Sequence, residues 1–177
     1  MSSCCSGEGC ELPVASARGD ACPRCGAVGR PVADETILAI LKPGQGDALL
    51  PVARRFCKTS SCAVLYYGAD GRLVEKDAAR VRVGVKEADD PAPLCYCFGH
   101  DRADIRRQVE ERGDSDIPAR ITTEVRAGRC ACEVKNPSGA CCLGDVNKAV
   151  KEAKDALSRT HGREGRAESS QPATVED

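Results

Sequence analysis

The thirteen cysteines of this 177-residue chain come in groups, and the grouping limits what the chain can fold into. They stand at 4, 5 and 10; 22 and 25; 57 and 62; 95 and 97; 130 and 132; 141 and 142. Aromatic residues make up only 3% of the chain and tryptophan is absent, so a core must come from Val, Leu, Ile and Ala. A thin aliphatic core leaves a small domain marginal, and such domains lean on metals or crosslinks. The N-terminus "MSSCCSGEGCELPVASARGD" lacks a basic segment followed by an apolar run, and no stretch approaches the roughly 20 apolar residues of a bilayer span. The expected compartment is therefore a reducing cytoplasm, where clustered cysteines bind metal more often than they pair as disulfides. An odd count agrees, since full pairing strands one thiol. A net charge of -1 gives no electrostatic case for nucleic acid or an anionic membrane.

Composition divides the chain into a Gly/Ser-rich, cysteine-containing flexible leader (1–19), a β-rich module (20–90), a helical module (91–158) and a polar tail expected to be disordered (159–177). The acidic, proline-bearing "EADDPAP" at 87–93 marks the boundary between the modules. In the first, Asp34 is placed to cap a short helix burying Ile37, Leu38 and Leu41. "AVLYYG" (63–68) and "VRVGVK" (81–86) read as strands, with "GADGR" as a turn between them. In the second, Asp101 heads a helix with Ile105 and Val109 inward and Gly113 as its stop. Ser115 or Asp116 heads the next, with Pro118 in its first turn and Ile121 and Val125 at i, i+4; it ends at Gly128. Asp145 heads a third helix, which buries Val146, Val150 and Leu157.

"CPRC" (Cys22, Cys25) and "CKTSSC" (Cys57, Cys62) form two paired-cysteine knuckles about thirty residues apart. A structural zinc ion wants four thiolate or imidazole ligands in a tetrahedron, and a pair of cysteines on a tight turn supplies two. Nothing in this half demands redox chemistry, so zinc is favoured over iron.

In the second half, "CYC" precedes one helix and "AGRCACEVKNPSGACCLGD" follows the next, so two helices are bracketed by thiols that converge. Four thiolates on loops whose backbone N–H groups face sulfur suit a [2Fe-2S] cluster, and a helix N-terminus beside them stabilises thiolate charge. Zinc would accept any four of the same thiols. Cys4, Cys5 and Cys10 are vicinal or closely spaced thiols suited to capturing a soft ion such as Cu(I). His100 is expected to cap its helix, and His161 to lie solvated in the tail. No nucleophile–base set, phosphate loop or histidine-rich site is visible, so a conventional enzyme is not expected.

The order CxC, helix, helix, then "AG" and further cysteines resembles the bacterioferritin-associated-ferredoxin type of [2Fe-2S] domain. Together with the preceding half, "CPRC", "FCKTSSCAVLYYG", "VRVGVKEADDPAPLCYCFG" and "AGRCACEVKNPSGACCLGDV" resemble the N-terminal half of CopZ-type iron-sulfur metallochaperones, over roughly residues 20 to 150. That resemblance implies zinc at Cys22, Cys25, Cys57 and Cys62, and a [2Fe-2S] cluster on Cys95 and Cys97 with a second cysteine pair about ten apart. Cys132 and Cys142 meet that spacing; Cys130 and Cys141 are the alternates. It implies an α+β fold, a small zinc-ribbon-like β-rich module followed by a helical [2Fe-2S]-binding module. It also implies a cytoplasmic metallochaperone for copper-type ions, whose partners are metal ions and a metal transporter or carrier, and which can reduce Cu(II) to Cu(I). The alternatives are a ferredoxin-like one-electron carrier without mobile cargo, and a purely structural module with two zinc sites. The copper-carrying MxCxxC domain that follows this half in some relatives is not in the sequence.

Overall fold

A computed structural model describes residues 19–167, with side chains to residue 160. Cys4, Cys5, Cys10 and the His161 side chain lie outside the described residues.

The first half is built on an antiparallel meander: β1 (Arg30–Pro31), β2 (Arg54–Phe56), β3 (Val64–Gly68) and β4 (Leu73–Glu75), in that order across the sheet. β3 is buried along its whole length because both of its faces are covered. Leu65 and Tyr66 join an aliphatic cluster of Ile37, Ile40, Leu41, Leu49, Phe56 and Val83. Val64 and Tyr67 instead pack on Cys22, Cys57 and Cys62. An irregular register between Val64 and Tyr66 breaks the simple alternation that would put all one parity on one face. Each fully buried aliphatic side chain contributes about 1.5–3 kcal/mol, so a cluster this small leaves the half dependent on something more.

The helical half begins with a hairpin, β5 (Pro93–Cys95) and β6 (His100–Asp101), which folds "CYCFG" into a turn. Gly99 closes that turn at φ 70°, donating its N–H to the Cys95 carbonyl at 2.9 Å. Helices α2 (Arg102–Arg112), α3 (Ile117–Arg126), the single turn α4 (Cys132–Lys135) and α5 (Leu143–Ala167) follow. Ile105, Val109, Ile117, Ile121, Val146 and Val150 form their common core, with Cys95 and Cys142 at its edge.

The chain is thus α+β, an antiparallel sheet region followed by a helical part. Several local expectations change. Helix α1 runs Asp34–Ile40 with Ala33 at its N-cap; Leu38 is exposed, and Thr36 takes the inward position. The reason is a contact across the chain, a hydrogen bond from the Thr36 hydroxyl to the Glu133 carbonyl at 2.6 Å. The expected strand at 81–86 is absent. "GADGR" does turn, but onto β4, while Gly84–Lys86 forms a 3-10 turn pressed against Pro93. His100 does not cap α2: Asp101 and Asp104 make both bonds of a capping box, and His100 is spent on pairing with Cys95. Asp145 lies in the first turn of α5 rather than ahead of it, and α5 continues past residue 158 to Ala167.

The two halves are in contact. Besides the Thr36–Glu133 bond, the buried Tyr66 hydroxyl donates to the Pro137 carbonyl at 2.7 Å. The loop between Cys132 and Cys142 therefore rests on the sheet of the first half.

Candidate metal centres

The first site is made by two turns. In one, the Cys22 N–H donates to the Ala27 carbonyl and the Gly26 N–H to the Cys22 carbonyl, both at 2.9 Å, with Gly26 at φ 72°. The other leaves β2 at Cys57 and returns at Cys62, whose N–H donates to the Thr59 carbonyl at 3.2 Å. Together they bring the four sulfurs within 4.8 Å of one another. The Cys22–Cys62 Sγ separation is 4.0 Å and Cys25–Cys57 is 3.7 Å. A tetrahedron with Zn–S bonds near 2.3 Å has edges of about 3.8 Å, so this donor set fits zinc. Burial pushes the Cys22 thiol up to about 11 and also raises Cys62. Cys25, exposed and beside the Thr59 hydroxyl at 3.3 Å and the Ala27 backbone, is lowered to about 6. A cation that replaces the protons removes the penalty on the buried pair.

The second group has a different geometry. Cys97 and Cys132 place their sulfurs 3.7 Å apart, and Cys95 and Cys142 are buried in one core cluster, near enough for each thiol to shift the other. Among the described residues, these four sulfurs do not form a compact cage like that of the first site. The N–H of Ala131 points at the Cys97 sulfur from 3.3 Å. Cys95 is lowered to about 6, first by its contact with Cys142 and then by the Phe98 and Cys97 backbone. Cys142 is raised, by that same partner and by burial, and burial lifts Cys132 to about 12. Cys142 also stands at the head of α5, its carbonyl accepting from the Val146 N–H at 3.0 Å, where the helix end favours negative charge on sulfur. A Cys97–Cys132 sulfur contact with an N–H aimed at Cys97, and Cys95 and Cys142 in the adjoining core, offer four thiolate donors of the kind a [2Fe-2S] cluster takes. Cys130 is half-buried and Cys141 exposed, and neither makes a sulfur contact with these four.

Residues 19–80 match a zinc binding domain family of the CopZ type. The chain belongs to the CopZ-type zinc-binding domain family. It is 33% identical over 126 residues to the copper chaperone CopZ of Archaeoglobus fulgidus, a match covering 68% of this chain and 57% of that protein. The X-ray structure of the N-terminal domain of A. fulgidus CopZ superposes with a TM-score of 0.60 at 30% identity, covering 72% of this chain and 95% of that domain. Both matches extend well beyond residues 19–80, into the helical half. The chain spans somewhat over half the length of the curated relative, and it is a CopZ homologue with a cysteine group able to hold a metal ion.

Sequence reasoning did not single out Thr59, Lys86 or Tyr96. Thr59 is one of four polar residues between Cys57 and Cys62, and nothing local distinguishes it from its neighbours. Lys86 and Tyr96 act through contacts 24 or 27 and 12 residues away, which no local pattern announces.

Proposed function

We propose that this protein is a cytoplasmic handler of soft, copper-type ions, with zinc as a structural staple and a [2Fe-2S] group as its redox centre. Cys22, Cys25, Cys57 and Cys62 would hold the zinc; Cys95, Cys97, Cys132 and Cys142 would hold the cluster. The observation that supports the second assignment is the Cys97–Cys132 sulfur contact, with Cys95 and Cys142 buried together in the core that Cys97 packs against, a grouping that leaves Cys130 and Cys141 out. The sequence order CxC, helix, helix, then "AG" and further cysteines, with its resemblance to bacterioferritin-associated-ferredoxin domains, is a second support for the reading. When bound, the [2Fe-2S] group supplies one electron, the amount that separates Cu(II) from Cu(I). The chain's part is to hold the four thiolates, to aim the Ala131 N–H at Cys97 sulfur, and to bury three of the four cysteines from water. Cargo copper would meet the thiols not used as resident ligands, Cys4, Cys5 and Cys10, the half-buried Cys130 and the exposed Cys141. The partners are metal ions and a metal transporter or carrier. Nucleic acid is not among them, and no described helix is long and apolar enough to cross a membrane.

Anaerobic purification, analysis for zinc, iron and acid-labile sulfide, and EPR of the reduced protein test this reading. One zinc, two iron and two sulfide per chain are expected. Zinc-only, colourless protein would overturn the cluster assignment. Cu(I) titration of the parent and of a Cys4→Ser/Cys5→Ser/Cys10→Ser variant separates a chaperone from an electron carrier. Stoichiometric tight binding that the variant loses marks the chaperone, and no tight binding by the parent marks the carrier.

A further inference from the structure

Lys86 is 6% exposed and is the one buried charged residue among the described residues. It has no carboxylate partner there; the adjacent Glu87 is engaged by Arg82 at 3.0 Å. Its ammonium instead donates to the Thr59 carbonyl at 2.7 Å and the Cys62 carbonyl at 3.0 Å, and lies 6.0 Å from the centre of the Phe56 ring. All three acceptors belong to the second cysteine knuckle or to the residue just before it. Burying an unpaired ammonium costs several kcal/mol, and two carbonyls and a ring offset only part of that. A zinc ion on four thiolates carries two net negative charges, and this knuckle supplies half of them.

We propose that Lys86 is a positioning residue of the four-thiol site: its ammonium is the counter-charge of the metal-loaded thiolates and pins the Thr59–Cys62 turn. This rests on the zinc reading of Cys22, Cys25, Cys57 and Cys62. Thr59 links the two roles. Its carbonyl is held by Lys86 while its hydroxyl meets Cys25 on the opposite knuckle, so one ammonium steadies contacts to both turns. The backbone on the Lys86 side is fixed independently, because the Gly84 N–H donates to the Tyr96 hydroxyl at 2.8 Å. The charge is therefore delivered from a braced turn, not from a flexible surface arm. Partners that orient metal ligands are commonly worth about 10–100-fold in metal affinity, which sets the size of the expected effect.

The test is cobalt and zinc loading of the full chain as parent, Lys86→Met and Lys86→Gln. Chelator competition reads zinc affinity. The thiolate-to-cobalt charge-transfer band reads the charge beside sulfur, and the cobalt ligand-field bands read geometry. Lys86→Met is expected to bind zinc about 10–100-fold more weakly. Its charge-transfer band should move to longer wavelength with ligand-field bands unmoved, a signature that lost packing alone does not give. Lys86→Gln keeps a hydrogen-bond donor and loses the charge, so the same band shift with a smaller affinity loss is expected; it decides the matter alone should Lys86→Met not fold. Variants with parental affinity and parental charge-transfer energy overturn the proposal while leaving the zinc reading intact. A parent with no thiolate–cobalt band overturns both.

Discussion

Removing the two side-chain hydrogen bonds that tie the Cys132–Cys142 loop to the sheet half should destabilise the protein by an amount that reports loop docking. Tyr66→Phe deletes a hydroxyl on a fully buried ring and orphans the Pro137 carbonyl; Thr36→Val deletes the donor to Glu133 at nearly constant shape. Leaving a buried acceptor unpaired costs about 1–3 kcal/mol, so each variant should lose that much. For a chain of this size, each 1 kcal/mol corresponds to roughly 2–4 °C in Tm. Both acceptors lie on one short segment, Glu133 to Pro137, so the two losses should not be independent. Once the first bond is gone the segment lifts, and the second removal costs less. A double-mutant cycle by urea unfolding, followed by circular dichroism on fully metal-loaded protein, should show sub-additivity of at least about 0.5 kcal/mol. Single variants within about 0.3 kcal/mol of the parent would refute the docking argument, as would strict additivity refute the shared segment.

Three further outcomes are expected. Gly84→Ala would place a Cβ 1.7 Å from the Pro93 carbonyl oxygen, so the strand leading to Cys95 must move; a loss of about 3 kcal/mol or more, with reduced iron retention, is expected in unfolding and metal analysis. In metal-free protein, Cys25 should alkylate first, with a rate midpoint near pH 6, because its thiolate is favoured by Thr59 and the Ala27 backbone; peptide mapping after timed iodoacetamide exposure checks this. Asp90 is held below the ordinary carboxylate range by the Arg102 guanidinium and then by Arg106. A lowered folded-state pKa contributes stability above the unfolded value and loses it as pH falls through the folded one. Asp90→Asn should therefore be less stable than the parent at neutral pH, with the gap closing below the carboxylate range in pH-dependent denaturation.

The parts legible in the sequence were those fixed by local chemistry. Asp101 at the start of α2, Gly113 at its end and Pro118 in the first turn of α3 each act within a few residues, so their patterns could be read directly. The knuckles were legible for the same reason. Leu38 was misplaced because the inward face of α1 is chosen by Glu133, nearly a hundred residues on. The β-branched run at 81–86 looked like a strand, but strand propensity reports fit to a neighbour. Here Leu73–Glu75 already takes the free edge of β3, and Gly84 is drawn under Pro93. Lys86 drew no reading of its own beyond the end of that run, since nothing nearby in sequence reveals that a knuckle closes over it.

The spacing of the last cysteines has a structural cause in these contacts. A compact CxxC would keep its loop local to the helical half. Here nine residues intervene between Cys132 and Cys142, and their path is outward to the sheet and back. Thr36 holds the outgoing strand of that path at Glu133, Tyr66 holds its far point at Pro137, and Asn136 folds the return by donating to the Ala140 carbonyl at 2.7 Å. Gly139, at φ 62°, lies where a side chain would meet the Thr36 hydroxyl at 2.9 Å. The loop thus supplies Cys132 and Cys142 from a segment braced by the sheet half. On this account, an ion bound by Cys22, Cys25, Cys57 and Cys62 would also limit the freedom of Cys132 and Cys142, because the loop that carries them is tied to the half such an ion would staple.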